Sequence, residues 1–129
     1  MNNKRMNYAL WAVQVLLALL FVFAGGMKLA LPIEALAKLA PLPGLFLKFI
    51  GVAEVTGALG LILPGTLRIR QGLTALAAAG LAVIMAGATV VTLATGGGNA
   101  ALMPVVVGCL AALVARGRMI SGVMEVARA

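Results

Sequence analysis

Long apolar runs, separated by short breaks rich in charge, glycine or proline, organise this chain. An uncharged run extends over residues 8–27, and three more follow at about 45–63, 73–94 and 100–115. As helices, the first three runs have about the length needed to cross a hydrocarbon core of ~30 Å, and the fourth is the shortest. The pattern predicts an all-α fold, a transmembrane four-helix bundle that forms one domain over residues 1–129.

A short segment between the first two spans departs from this pattern. Pro32 opens it, Glu34 and Lys38 stand four residues apart as in one helical turn, and Pro41 and Pro43 end it. Its other residues are too apolar for a free loop. We therefore expect a short interfacial or re-entrant helix between spans 1 and 2.

Composition agrees with a lipid environment. The chain is 64% apolar and 10% charged, with a mean hydropathy of +1.16, whereas soluble domains are about half apolar and a quarter charged. A rival interpretation makes the first run a cleaved signal peptide with its small-residue site at 22–24. The length of that run and the spans that follow favour a retained helix. Tyr8 and Trp11 suit the aromatic belt at a membrane boundary.

The basic residues divide unequally between the two ends of the predicted bundle. Of the ten Lys and Arg residues, three, namely Lys28, Lys38 and Lys48, fall on one side. The other seven lie in the N-terminus, the 64–72 turn with Arg68 and Arg70, and a small tail with Arg116, Arg118 and Arg128. The positive-inside rule places both termini in the cytoplasm. Anionic membrane lipid accounts for the net charge of +7 without a nucleic-acid partner.

Small residues recur at four-residue spacing within the spans and predict close helix packing. The rows are Thr74, Ala78, Ala82 and Ala86 in the third span, Ala53 and Gly57 in the second, and Gly108 and Ala112 in the fourth.

Much chemistry is excluded by the residues that the chain lacks. It has no histidine, one cysteine and three carboxylates, so the usual ligands of haem, zinc and non-haem iron are missing. Cys109 cannot form an internal disulfide and is expected to be a small core residue. No nucleophile with a base and no phosphate loop is present, so we predict no catalytic residue and no metal site, and we do not expect the chain to be an enzyme on its own.

Three polar residues remain as candidates for a binding or buried polar site. Glu54 lies about 12 Å below the outer edge of the second span, where charges are costly and are usually functional or paired. It is interpreted either as a proton-exchanging or hydrogen-bonding group in a pocket or as a structural lock to Lys28, whose ammonium could point back into the bundle after Gly25 and Gly26. Gln14, in the first span, is expected to bridge helices or to touch a ligand, with bridging favoured.

The stretches from Phe23 to Leu29 and from Gly51 to Pro64 resemble the DoxX-like family of small bacterial four-helix membrane proteins. The resemblance covers nearly the whole chain, and Lys28 and Glu54 match the polar pair of the family. It implies a multi-pass protein of the bacterial inner membrane and, for named members, association with quinone-linked oxidation of sulfur compounds. The chain departs from its relatives after the third span, where residues 93–99 offer neither a histidine nor a basic cluster.

Two functional hypotheses follow, with a third behind them. The leading one is a binding module whose cleft between the first two spans, lined by Glu54, Lys28 and Gln14, holds a quinone or another apolar molecule for a membrane redox complex. The alternative is a non-catalytic scaffold or assembly factor whose polar pair is structural. Small-molecule or proton transport is weaker, because it needs a polar route across the membrane and Glu54 has no charged partner in the third or fourth span. Redox partner proteins and a homo-oligomer are both compatible with the sequence.

Overall fold

A computed structural model describes residues 3–38, 42–67 and 72–128, and within this part of the chain all regular structure is helical. The helices are α1 (Asn3–Ala30), α2 (Ile33–Ala37), α3 (Gly44–Thr66), α4 (Gly72–Ala94) and α5 (Leu102–Arg128), with a 3-10 turn at Gly98–Ala101. Three features of the sequence analysis lie outside the part of the chain that the structure describes. They are the basic turn at Arg68 and Arg70, Pro41 at the end of the short segment, and the side chain of Arg128.

Four of the described stretches are long and apolar enough to cross a membrane, namely Lys4–Ala30, Gly44–Thr66, Gly72–Ala94 and Gly98–Met119. The predicted all-α class and four-helix arrangement are confirmed. The outward faces are apolar: Leu16 is 68% exposed, Leu76 69% and Val83 71%. A surface of this kind suits lipid rather than water.

The helices pack in the order α1, α3, α4, α5, and a smaller contact between α1 and α5 closes the bundle. Phe21, Leu17, Leu61, Leu81 and Val114 are the largest apolar side chains that lie fully or almost fully buried at its centre. Since lipid tails are as apolar as these side chains, tight packing rather than exclusion of water must hold the helices together.

Glycines set the spacing between neighbouring helices. A Cβ atom built on Gly25 of α1 would lie 2.7 Å from the carbonyl oxygen of Gly51 on α3, so these two backbones touch. A Cβ on Gly60 would lie 2.7 Å from the Cβ of Ala77 on α4, and a Cβ on Gly108 of α5 would lie 3.0 Å from the Cβ of Met85 on α4. Close approaches of this kind are typical of membrane helix pairs that use small residues at the interface.

The predicted rows of small residues are only partly at interfaces. Thr74 and Ala78 are buried in α4, but Ala82 is half-buried and Ala86 is exposed. Four residues turn a helix through 400°, so each step of such a row drifts by about 40° around the axis and a long row leaves its neighbour. Cys109 on α5 is exposed, because it follows the interface residue Gly108 by one position and so points about 100° away from it, and the expectation that Cys109 is a core residue is wrong.

The connections place the ends of the spans. Gly96 and Gly98 have φ of 77° and 52°, the left-handed conformation that glycine adopts without strain, and they make the tight return between α4 and α5. Helix α2 folds back onto the bundle, because Leu36 is fully buried and Ile33 contacts Gly44 at the start of α3. Helix α5 continues well beyond residue 115, where the sequence predicts the span to end, and it includes Arg118.

Candidate functional site

The first polar site joins α1 to α3 by an ion pair inside the bundle. The Nζ atom of Lys28 lies 3.1 Å from Oε1 and 3.3 Å from Oε2 of Glu54, so it reaches both carboxylate oxygens. The Glu54 side chain is only 2% exposed, whereas that of Lys28 is 26% exposed. The acid is thus enclosed, and its partner remains reachable from one side.

Local helix geometry explains why these two residues meet. Side chains on a helix tilt toward its N-terminus, which for Lys28 near the end of α1 means back toward the middle of the bundle. Gly25 and Gly51, each three residues before a member of the pair, let α1 and α3 approach closely. A Cβ on Gly51 would lie 2.9 Å from the Cβ of Lys28, so the lysine stem rests on bare backbone.

A second lysine joins α3 to the end of α1 on the same side of the bundle. Lys48 of α3 donates hydrogen bonds to the carbonyl oxygens of Leu29, at 3.0 Å, and Leu31, at 2.8 Å. Carbonyl groups in the last turn of a helix have no partner within the helix, and a lysine ammonium satisfies them well. Lys48 therefore caps the end of α1 and takes no part in the ion pair.

Gln14 belongs to a different polar cluster. Its Nε2 donates to the carbonyl oxygen of Leu61 on α3 at 2.6 Å, and its Oε1 accepts from Nε of Arg118 on α5 at 2.6 Å. Leu61 lies seven residues beyond Glu54, or about 10 Å along α3. The structure brings Lys28 and Glu54 together, but it does not bring Gln14 to them; Gln14 bridges three helices instead.

Arg118 completes this second cluster, and the sequence analysis did not find it. Only 5% of the residue is exposed. Its Nη1 donates to Oδ1 of Asn7 at 2.8 Å, and its guanidinium carbon lies 5.7 Å from the centre of the Trp11 ring. Trp11 in turn packs against Gly65 at the end of α3. The Nη2 atom of Arg118 is buried and has no hydrogen-bond partner among the described residues.

Signals for this cluster do exist in the sequence. Arg118 follows the buried positions Ala111, Val114 and Ala115 at helical spacing, so the apolar stripe of α5 runs into it. Gln14 is a polar group in an apolar span and needs a partner on another helix. The sequence analysis ends the fourth span at residue 115 and places Arg118 in a tail, so it does not pair Arg118 with Gln14.

An apolar depression lies elsewhere, on the lipid-facing side between α3 and α4. It has a volume of about 680 Å³. Its lining is apolar and includes Phe49, Gly57, Gly60, Leu76 and Ala77. None of the three predicted polar residues, Gln14, Lys28 and Glu54, lines this depression.

Comparison with known proteins supports this architecture. No curated protein and no solved structure matches the chain. A family model does match, over residues 12–114, which include all three predicted polar residues and most of the four spans. The match covers well over half of the sequence, and the chain therefore belongs to the DoxX-like family.

Proposed function

We propose that this membrane protein binds an apolar small molecule with a quinone-like head group at the Lys28 and Glu54 pair, as part of a membrane redox complex. The observation that carries the proposal is the enclosed carboxylate of Glu54 with a partner, Lys28, that is partly exposed. A lysine ammonium has three N–H donors, and the two oxygens of Glu54 occupy at most two of them. The remaining donor can reach a carbonyl oxygen that approaches from the exposed side of Lys28.

The chemistry of a quinone suits such a pair. Its carbonyl oxygens accept hydrogen bonds, and when the redox partner supplies electrons they take up protons, one of which the Lys28 ammonium in hydrogen-bond reach can deliver. The apolar faces of α1 and α3 next to the pair would hold the ring and its tail. Gln14 has no direct role in this site, because both ends of its amide are already bonded.

We test this proposal by mass spectrometry of the small molecules that the protein retains after gentle extraction. Wild-type protein is expected to retain an isoprenoid quinone, and Lys28→Met is expected to lose it. Lys38→Met, which alters an exposed lysine at the same end, is the matched control and should retain as much as the wild type. Absence of a quinone from the wild type, or equal retention by Lys28→Met, would contradict the proposal.

A scaffold is the second candidate, and a specific observation favours it. The contact of Gly25 with Gly51 fixes α1 on α3, so the ion pair is already explained as a lock for that interface. In a scaffold, Glu54→Gln should lower stability while the same membrane proteins still co-purify with a tagged chain. In a binding module, the substitution should remove the ligand at temperatures where the bundle remains folded.

We infer that the protein lies in the bacterial inner membrane with both termini in the cytoplasm. Support comes from the lysine and arginine residues, seven of ten of which belong to the end that holds the termini. In this orientation the Lys28 and Glu54 pair lies near the outer leaflet, and Arg118 lies near the inner one.

A further inference from the structure

The guanidinium of Arg118 is only partly satisfied by the protein. It offers five N–H donors in a planar fork. Nε is bonded to Gln14 and Nη1 to Asn7, but Nη2 is buried without a partner among the described residues. Buried polar atoms are nearly always hydrogen-bonded, so an orphan on a charged group indicates a missing acceptor.

The positive charge also lacks a described counterion. The chain has three acids. Glu54 is engaged by Lys28, and Glu34 lies on α2 at the opposite end of the bundle. Glu125 is two helical turns beyond Arg118, about 10 Å along α5, and its side chain is outside the described part. Two neutral amides are therefore the described hydrogen-bond partners of a buried cation, an arrangement that is costly in a membrane protein.

The surroundings of Arg118 favour an anion from outside the chain. Asn7, one of its two partners, is exposed, so the cluster lies next to the surface of the bundle. Lys4 and Arg5 are exposed at the same end and raise the local positive potential. Headgroups of anionic lipids collect where basic residues border a membrane span.

We propose that Arg118 anchors a binding site for a phosphate group at the end of the bundle where α1 begins. Phosphate oxygens match the planar fork of arginine and form short, charge-assisted hydrogen bonds with it. The phosphate is carried by a membrane lipid or is free in solution, and one of its oxygens accepts the hydrogen bond that Nη2 does not give to any described residue. Gln14, Asn7 and Trp11 hold the guanidinium in position.

The only tryptophan of the chain provides a built-in reporter, because its ring lies 5.7 Å from the guanidinium carbon. The full-length protein in a neutral maltoside detergent is titrated separately with dioctanoyl phosphatidic acid, dioctanoyl glycerol and inorganic phosphate while Trp11 fluorescence is recorded. A saturable change with phosphatidic acid alone assigns the site to a lipid phosphate. A saturable change with inorganic phosphate at similar concentration assigns it to the free ion.

Variants connect the response to Arg118. Arg118→Met should weaken binding about tenfold or more, because it removes a charged hydrogen bond. Arg118→Lys keeps the charge without the fork, so it should also bind more weakly than the wild type. Arg116→Met, an exposed arginine two residues away, should stay within about twofold, since rim charges contribute little to affinity.

Three results would overturn the proposal. One is a wild-type protein whose Trp11 shows no saturable change with either phosphate probe, a result that does not depend on the folding of any variant. Another is binding by Arg118→Met within twofold of the wild type. The third is a response that appears only in Glu125→Gln, which would identify Glu125 as the counterion of Arg118.

Discussion

Gly25 and Gly51 touch through their backbones where α1 crosses α3, with the carbonyl oxygen of Gly51 only 2.7 Å from the place of a Cβ on Gly25. This contact and the ion pair are one structural unit, since the Lys28 stem lies over Gly51 on its way to Glu54. A change in the distance between α1 and α3 must therefore alter the reach of Lys28.

Gly25→Ala should destabilise the bundle, while Gly26→Ala should not. The new Cβ at position 25 meets both the oxygen of Gly51 and, at 2.8 Å, the side chain of Val55, whereas nothing lies within 4 Å of a Cβ at position 26. Overpacking of this kind costs about 1 to 3 kcal/mol, and alanine in place of an unconstrained helical glycine gains about 0.5 to 1 kcal/mol. Thermal unfolding in detergent measures both effects. Equal melting temperatures for the two variants would show that α1 and α3 are not in backbone contact.

Glu54→Gln and Lys28→Met should each lower the free energy of unfolding, and the double variant should lose less than the sum of the two. Removal of one partner from a buried pair leaves the other charge uncompensated, at a cost of about 3 to 5 kcal/mol in soluble proteins, and snorkelling reduces this for a lysine near a span end. The double-mutant cycle in detergent measures the coupling. Lys38→Met, on the exposed surface, should change stability by about 0.5 kcal/mol or less. Simple additivity of the two losses would contradict direct pairing.

Ala78→Leu should be far more harmful than Ala86→Leu, although both residues belong to one row of small side chains. Ala78 is fully buried and packs in the core, whereas Ala86, two helical turns further along α4, is exposed. A leucine at 78 should cost about 1 to 3 kcal/mol by overpacking, and a leucine at 86 enters lipid of similar polarity. The unfolding midpoints of the two variants in detergent show which face of α4 packs in the core. A larger loss of stability at position 86 would mean that the face with Ala86, and not the face with Ala78, is buried.

The inferred orientation predicts which side of the membrane a thiol reagent reaches. In a Cys109→Ala background, a Lys38→Cys variant should react with an impermeant maleimide in spheroplasts. A Lys4→Cys variant should react only after the membrane is permeabilised, because the end of the bundle rich in lysine and arginine faces the cytoplasm. Labelling of the Lys4→Cys variant in intact spheroplasts would place the N-terminus outside and move the Lys28 and Glu54 pair to the inner leaflet.

Apolar run lengths and breaks were enough to predict the four long helices and the short one after Pro32. The meeting of Lys28 with Glu54 could also be predicted as one of two interpretations, because both residues sit at matching depths on neighbouring spans and the glycines before Lys28 permit close approach. Depth along a helix is readable from sequence since each residue adds a fixed rise.

Rotation about the helix axis could not be predicted in the same way. Helix α4 is so rich in alanine that several of its faces offer small residues, and only packing against α3 and α5 selects the one with Ala78. The hydrogen bond between Gln14 and Arg118 forms only because α5 continues beyond residue 115. In the sequence, an arginine that follows a 16-residue apolar run instead has the features of a residue at the membrane boundary. The spacing of Arg118 from Ala111, Val114 and Ala115 puts it on the buried stripe of α5, but its partner on α1 is decided by packing between distant parts of the chain.

The bond between Gln14 and Arg118 spans 104 positions of the chain and has a consequence for biogenesis. Synthesis proceeds from the N-terminus, so the first span enters the bilayer long before its partner on the last helix has been made. Until then the amide oxygen of Gln14 has to be satisfied by water or by the insertion machinery. A chain truncated before Arg118 would therefore keep an amide oxygen in its first span without the partner that the complete bundle gives it.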